Sequence, residues 1–471
     1  MANIKRWIGV QQEVLYATYT DLVSVNTDKV GFPTKILVTI SPASTYFAVG
    51  MNIRIEDDVT SEFNTIAALP GLTEITLGTA LTNDYTVVAN AKVTIMPLKY
   101  MPYRTMDVQP GQNPLAIEES DERMKTGYMY GGFVGSGPLV LTGRPDNIGW
   151  FLKWGMGAAA VGASVNASLL AVNAASGQKD CTVAAGAGFA EGDTVKISDD
   201  NASEFNEIAT ILGNVLTMTT NLAATYTVVA NGVVEVNVWK HRYTMGETVK
   251  SFLMEECVGI SGQLGRFLVG NVIKRITIES TMGSPLLFTI ELQNNHEILL
   301  TQSTIGSLPS IRGFALHDAV ATLVAAVKAE SIRINIENTS PDDAFVSNSR
   351  MLPDISLEGF SINGECEIRF EDWAERQLFY GALAAGVEPT EPQEEVRLHA
   401  LSAIWTGPPT GDPTQANYRL DVNLPSVLLT ENPLATAGRD RLKQRFTFEA
   451  VYHASNYIDL YNKVESYDGI V

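Results

Sequence analysis

At 471 residues, with 45% hydrophobic and 18% charged side chains, the chain is too long for one core and too apolar for wholesale disorder. Its net charge of −20 excludes an ordinary DNA-binding module, which neutralises phosphates with an excess of lysine and arginine. Three widely spaced cysteines, Cys181, Cys257 and Cys366, form no CxxC pair; they exclude a disulfide framework and a zinc site and predict synthesis in a reducing compartment.

The first residues, MANIKRWIGVQQEVLYATY, hold no apolar run, which predicts no secretory leader. Residues 1–22 are too irregular to assign. A repeat follows. Phe47–Gly71 matches Phe189–Gly213, sharing Gly50/Gly192, Ile55/Ile197, Ser61-Glu62-Phe63-Asn64/Ser203-Glu204-Phe205-Asn206 and Ile66/Ile208. After a one-residue slip, the run Tyr85–Asn90 returns as Tyr226–Asn231. Alternation at Ile53/Ile55 and Val195/Ile197, then again at Ile75/Leu77 and Leu216/Met218, predicts two small all-β modules over 23–97 and 165–238. The second reads as an insertion into a loop, where added length costs little entropy. Each copy carries acidic residues, Asp57-Asp58 and Asp199-Asp200, at a turn. Clustered carboxylates are hard ligands that suit calcium, but no EF-hand spacing is present, and Asx-turn chemistry accounts for them without a metal. The expectation is no metal, with these four as the residues to check.

Between the modules, Gly131–Gly157 reads as a β-hairpin followed by a short helix. Asp146 stands at the N-cap, Trp150, Phe151 and Trp154 form one face, and Gly155 or Gly157 is the stop. Gly157–Ala175, rich in small residues but broken by Ser164, Asn166, Ser168 and Asn173, reads as a flexible junction rather than a membrane span. Gly270–Leu292 alternates on both sides of a Met282-Gly283-Ser284-Pro285 turn. The hairpin-and-helix unit then recurs at Ser347–Leu383, with a turn at Asn363-Gly364 and a helix capped by Asp372 and Glu375. The pairs Gly132/Gly359, Phe133/Phe360 and Gly137/Gly364 are each 227 residues apart. A Pro-rich spacer at 387–392 leads to strands at 396–405 and 417–453. The predicted fold is therefore mainly β: two tandem β-sandwich or barrel domains, each with a flanking α-helix, plus the two inserted modules. The first domain comprises 1–22, 98–164 and 239–300; the second comprises 301–471.

Catalytic chemistry is not evident. His241, His296, His317, His399 and His453 show no metal spacing, and no GxSxG, GxxxxGK[ST] or GxGxxG is present. The expectation is a non-enzyme with no catalytic or cofactor-binding residues.

Several stretches of the C-terminal half resemble tail tube proteins of long-tailed, siphovirus-like bacteriophages, of the fused kind with two tube domains in one chain. They are Ile334–Thr339, Arg350–Ile355, Gly359-Phe360 with Gly364, Phe370-Glu371-Asp372, Leu424-Pro425, Asp440 and Phe446–Tyr452. Leu141–Gly157 and Cys257–Leu292 are the looser counterparts in the first half. The resemblance implies a structural virion protein, made in the host cytoplasm, whose homotrimeric, pseudo-hexameric rings stack into a tube. It also implies a tape-measure protein and tail-tip or terminator proteins as partners, and double-stranded DNA that passes without specific binding. A lumen lined by carboxylates would offer that DNA no cationic foothold. The inserted modules are not part of the family pattern and are candidates for contact with a host surface. The alternative is a capsid-decoration or adhesion β protein, in which the modules are the working part.

Overall fold

A computed structural model describes residues 6–467 except 14–19, 25, 28–29, 31–33, 59, 98, 118–126, 160–161, 247–248, 258–263, 303–307, 309, 324, 340–348, 350–357, 371–397, 432–433 and 436–441. The chain is mainly β and forms three sheets, one of 21 strands and two of six.

The large sheet uses β1 (Trp7–Gln12), β2 (Thr105–Met106), β3 (Gln109–Ile117), β4 (Gly127–Thr142), β5 (Trp239–Met245), β6 (Phe252–Cys257), β7 (Leu264–Thr281), β8 (Leu287–Asn294) and β9 (His296–Thr301) from the first half. The second half supplies β10 (Ala319–Leu323), β11 (Ala329–Thr339), β12 (Gly359–Arg369), β13 (His399–Asp412), β14 (Gln415–Glu431), β15 (Leu434–Ala435), β16 (Lys443–Ala450) and β17 (Tyr457–Asn462). The two halves repeat one pairing scheme. One layer runs β1–β6–β7–β9 in the first half and β10–β13–β14–β17 in the second. The other runs β3–β4–β8–β7 and β11–β12–β16–β14. Strands β7 and β14 are long enough to belong to both layers of their half.

The expected organisation is corrected. The halves are not separate tandem units with a helix each: β7 pairs with β11 over Arg275–Thr281, so one sheet crosses the boundary. Among the described residues there is one α-helix, α1 (Ile148–Met156); the segment expected to be the second, with Asp372 and Glu375, lies outside them. Nor are the two hairpins hairpins. β4 and β12 are each a single continuous strand through the supposed turn. Gly364 is there for packing, since a Cβ would stand 2.3 Å from the Arg333 carbonyl oxygen and 2.6 Å from the Phe448 ring. Gly137, its counterpart, has φ 152° and approaches the Asp107 backbone just as closely.

Alternation explains the layers. Ile332, Ile334 and Ile336 of β11, and Ile362, Cys366 and Ile368 of β12, point into one core, while the intervening Arg333, Asn335, Asn363, Glu365 and Glu367 face away from it. Helix α1 closes the same core. Trp150, Phe151 and Trp154 are buried, and Trp154 stacks on Phe252 with centroids 4.3 Å apart. Its N-cap position is Asn147 rather than Asp146. The Asn147 side chain accepts the Arg144 N–H (2.9 Å) and donates to the Thr142 carbonyl (3.1 Å), tying the turn that launches the helix. Gly157, left-handed at φ 80°, ends it. The stretch after it is not a loose junction: Gly157–Ala159 and Ala163–Ser164 pair with β5.

Each repeat folds as its own six-stranded sheet with the same strand order. The strands are Thr20–Leu22, Lys35–Leu37, Asn52–Glu56, Ser61–Ala68, Glu74–Leu77 and Lys92–Ile95 in the first, starting ahead of residue 23. In the second they are Ala167–Leu169, Asp180–Thr182, Thr194–Ser198, Ser203–Leu212, Val215–Met218 and Val233–Val236. Bridges Val23↔Val38 and Leu170↔Val183 bring the outer strands together and curl each sheet on itself. Tyr85 and Tyr226 are fully buried, and Asn90 and Asn231 are both left-handed at φ 53° and 57°.

Candidate assembly interface

The sheet that crosses the boundary runs β3–β4–β8–β7–β11–β12–β16–β14, with β2 continuing the line of β3 and β15 that of β14. Among the described residues, β2 and β3 pair only with β4, and β15 only with β16. Both ends of this run therefore present backbone N–H and C=O groups along an open edge, the feature that invites pairing with another chain.

At its middle, the β7–β11 junction shows what a completed edge looks like here. Arg275 of β7 sits between Glu291 and Glu337 of the flanking strands, the latter at 3.6 Å. Thr277 Oγ donates to Asn335 Oδ1 (2.9 Å), whose amide donates in turn to Asn363 Oδ1 (2.9 Å). Asn338 is buried, and its amide donates to the carbonyls of Ile273 (3.0 Å) and Gly155 (2.8 Å), stapling β11 to β7 and to the end of α1. In the sequence, Asn338 stands out only as part of the Ile334–Thr339 stretch.

The polar face of this sheet is rich in glutamate, with cations held beside it. Lys443 lies against Glu367 and against Glu330 (3.0 Å), and Arg445 against Glu365. These are cross-strand ion pairs at a partly exposed surface, each contributing little to stability but fixing where the basic side chains lie. The opposite layer of the second half carries a different network: Arg242 makes a two-pronged bond to Asp459 (2.8 and 2.7 Å), Lys240 reaches the same carboxylate, and the Arg242 guanidinium lies 3.8 Å over Tyr457. Burial pushes the nearby Asp421 carboxyl up, opposed by its bond from Arg419.

The two modules attach in different ways. The core of the first takes in Leu253, Phe267 and Val269 of β6 and β7, with Ile298 and Leu300 packed beside them. The second keeps its core to itself and is held by hydrogen bonds to the β13–β14 turn. Thr414 donates through N–H and Oγ to Asp193 (2.9 and 2.6 Å), and Asp412 accepts the Thr194 N–H (2.7 Å) while its other oxygen meets Lys463 at 2.6 Å. Asp193 and Asp412 are almost fully buried. In the aligned repeats, Asp193 stands where the first module has Met51, a difference visible in the sequence that marks the change from apolar to polar docking.

The acidic candidates are occupied by the protein itself. Asp57 accepts the Thr60 N–H (2.7 Å) and Asp58 the Asn90 amide (3.0 Å). Asp199 accepts the N–H groups of Asn201, Ala202 and Thr227 (2.9, 3.0 and 3.1 Å), which hold its carboxyl below the usual range, and Asp200 accepts the Asn231 amide. Among the described residues, no three His, Cys, Asp or Glu side chains gather as metal ligands. His241 is buried with Nε2 2.5 Å from the Val464 carbonyl, and His296 faces Asn295. The three cysteines are buried and free, with burial pushing the Cys181 and Cys366 thiols up to about 12 and that of Cys257 higher still. Among the described residues, no helix is long and apolar enough to cross a membrane. No protein-family model matches the chain, and no curated protein matches it in sequence.

Proposed function

We propose that this chain is a structural subunit that polymerises, three copies to a ring and ring upon ring, into the tail tube of a phage, through which double-stranded DNA passes. The observation that carries the proposal is the sheet that repeats one strand order twice without a break and, among the described residues, stays open at both ends. A repeat that joins to itself once inside the chain has the geometry to join again between chains, and rotation about an axis turns such head-to-tail contacts into a ring. The resemblance to fused tail tube proteins supplies the count of three and the stacking.

In this proposal the glutamate-bearing face lines the lumen. Of its cations, Arg275, Lys443 and Arg445 sit beside glutamates, so a passing phosphate meets those three basic groups already engaged, which weakens the hold on DNA. Tape-measure, tip and terminator proteins are the expected partners, the virion tail the location, and no catalytic step is assigned. A decoration or adhesion role for the modules is favoured by one separate observation: Phe63 and Phe205, and Val88 and Val229, are exposed at matched positions, with both valines 93% exposed. Negative-stain imaging of the purified protein is the test. Hollow rings or stacked tubes are expected; isolated single subunits at high concentration would overturn the proposal.

A further inference from the structure

We infer the register in which one copy joins the next: the edge Glu431–Ala435 of one chain is completed by Thr105–Gln112 of a second copy, in the pairing that β7 and β11 show within the chain. The inference rests on the ring proposal and deepens it.

The register follows from the duplication. On β8, Leu292 pairs with Gly137 on one side and Ile273 on the other; on β16, Phe448 pairs with Gly364 and Leu429. Farther along, Phe288 pairs with Leu141 and Ile278, as Gln444 does with Ile368 and Leu434. Leu429–Leu434 is therefore the counterpart of Ile273–Ile278. On the far side, Ile332 and Ile336 pair with Cys366 and Ile362, while Met106 and Pro110 pair with Leu139 and Gly135, the matched positions of β4. The line of β2 and β3 is therefore the counterpart of β11, interrupted at residues 107–108 where Gly137 approaches the Asp107 backbone.

Within the chain, Arg275 pairs with Glu337 and Glu279 with Arg333. Carried over, Glu431 of one copy stands opposite Gly111 of the next, and Ala435 opposite Asp107. Gln112 takes the register position of Asn338. The joint between copies thus lacks the opposite charges of the internal one and leans on backbone pairing. Recognition is of a second copy of this chain, edge to edge and antiparallel.

The test is cysteine cross-linking in assembled particles, for which the native thiols are suitably buried. Ala435→Cys with Asp107→Cys should give interchain disulfides. The pair Ala435→Cys with Thr105→Cys, displaced by two residues, should give roughly tenfold less, because it exceeds the reach of a disulfide. A second readout uses charge: Ala435→Glu alone should weaken assembly by facing Asp107, and adding Asp107→Arg should restore it. Particles that assemble but link only in the displaced pair, or in neither, overturn the register and leave the ring proposal standing. If the unsubstituted protein forms no rings, both fall.

Discussion

Replacing Asn338 with leucine keeps the branched shape and heavy-atom count of the side chain and removes its two donated hydrogen bonds. The carbonyls of Gly155 and Ile273, at 2.8 and 3.0 Å, would then be left without that donor inside a joint where Asn338 itself is 3% exposed. An unmet buried polar group costs about 1–3 kcal/mol; two carbonyls lose a donor while the buried, unpartnered Asn338 Oδ1 is removed as well, so the net loss is about 1–3 kcal/mol. That should lower Tm by several degrees, read by calorimetry or by the midpoint of urea unfolding followed through tryptophan fluorescence, since Trp150 and Trp154 of α1 lie at the same joint. If Asn338→Leu melts within about 0.5 kcal/mol of the parent, the staple is not what holds the halves in register.

The modules should differ sharply on removal. Excising the second between Ser164 and Trp239, which are already paired, should leave a soluble, cooperatively folding chain. Excising the first uncovers Leu253, Phe267 and Val269, a loss of about 1.5–3 kcal/mol each, and should give aggregation on size-exclusion chromatography. Asp199→Ala should lower Tm equally in calcium and in chelator, because the carboxylate serves three N–H groups rather than an ion; a shift only in calcium would point to a metal. Asp146 is raised chiefly by burial, so the folded state favours its protonated form, and stability present below the usual carboxylate range is lost as pH rises through its folded pKa. Asp146→Asn should therefore melt higher than the parent at pH 7, with the gap closing below about pH 4 in a Tm-against-pH series.

The repeats were legible because they share a dense set of residues with local jobs: Glu62 and Glu204 accept N–H groups of Thr82 and Ala223, and Asn64 and Asn206 tie down the following turn. The strands around Met282–Pro285 were legible from alternation alone. What misled was glycine. Asn363-Gly364 carries the signature of a tight turn, yet the glycine is present because the Phe448 ring lies where a side chain would go, and nothing in the local sequence records a contact 84 residues away. The open sheet was equally hidden, since which strand of one half meets which of the other is set by packing and not by period. Asn338 and the Asp193–Thr414 clamp belong to the same class, polar residues whose partners are far off in sequence. The Met51-to-Asp193 difference was the single local hint.

Amide hydrogen exchange on assembled particles tests the central claim most directly. If chains join through the open edges, the amides of Thr105–Gln112 should become as protected in the particle as those of Ala329–Thr339, whose edge is already covered by β7. Exchange in that stretch as fast in the particle as in the free chain would mean that assembly, if it occurs, goes through some other surface.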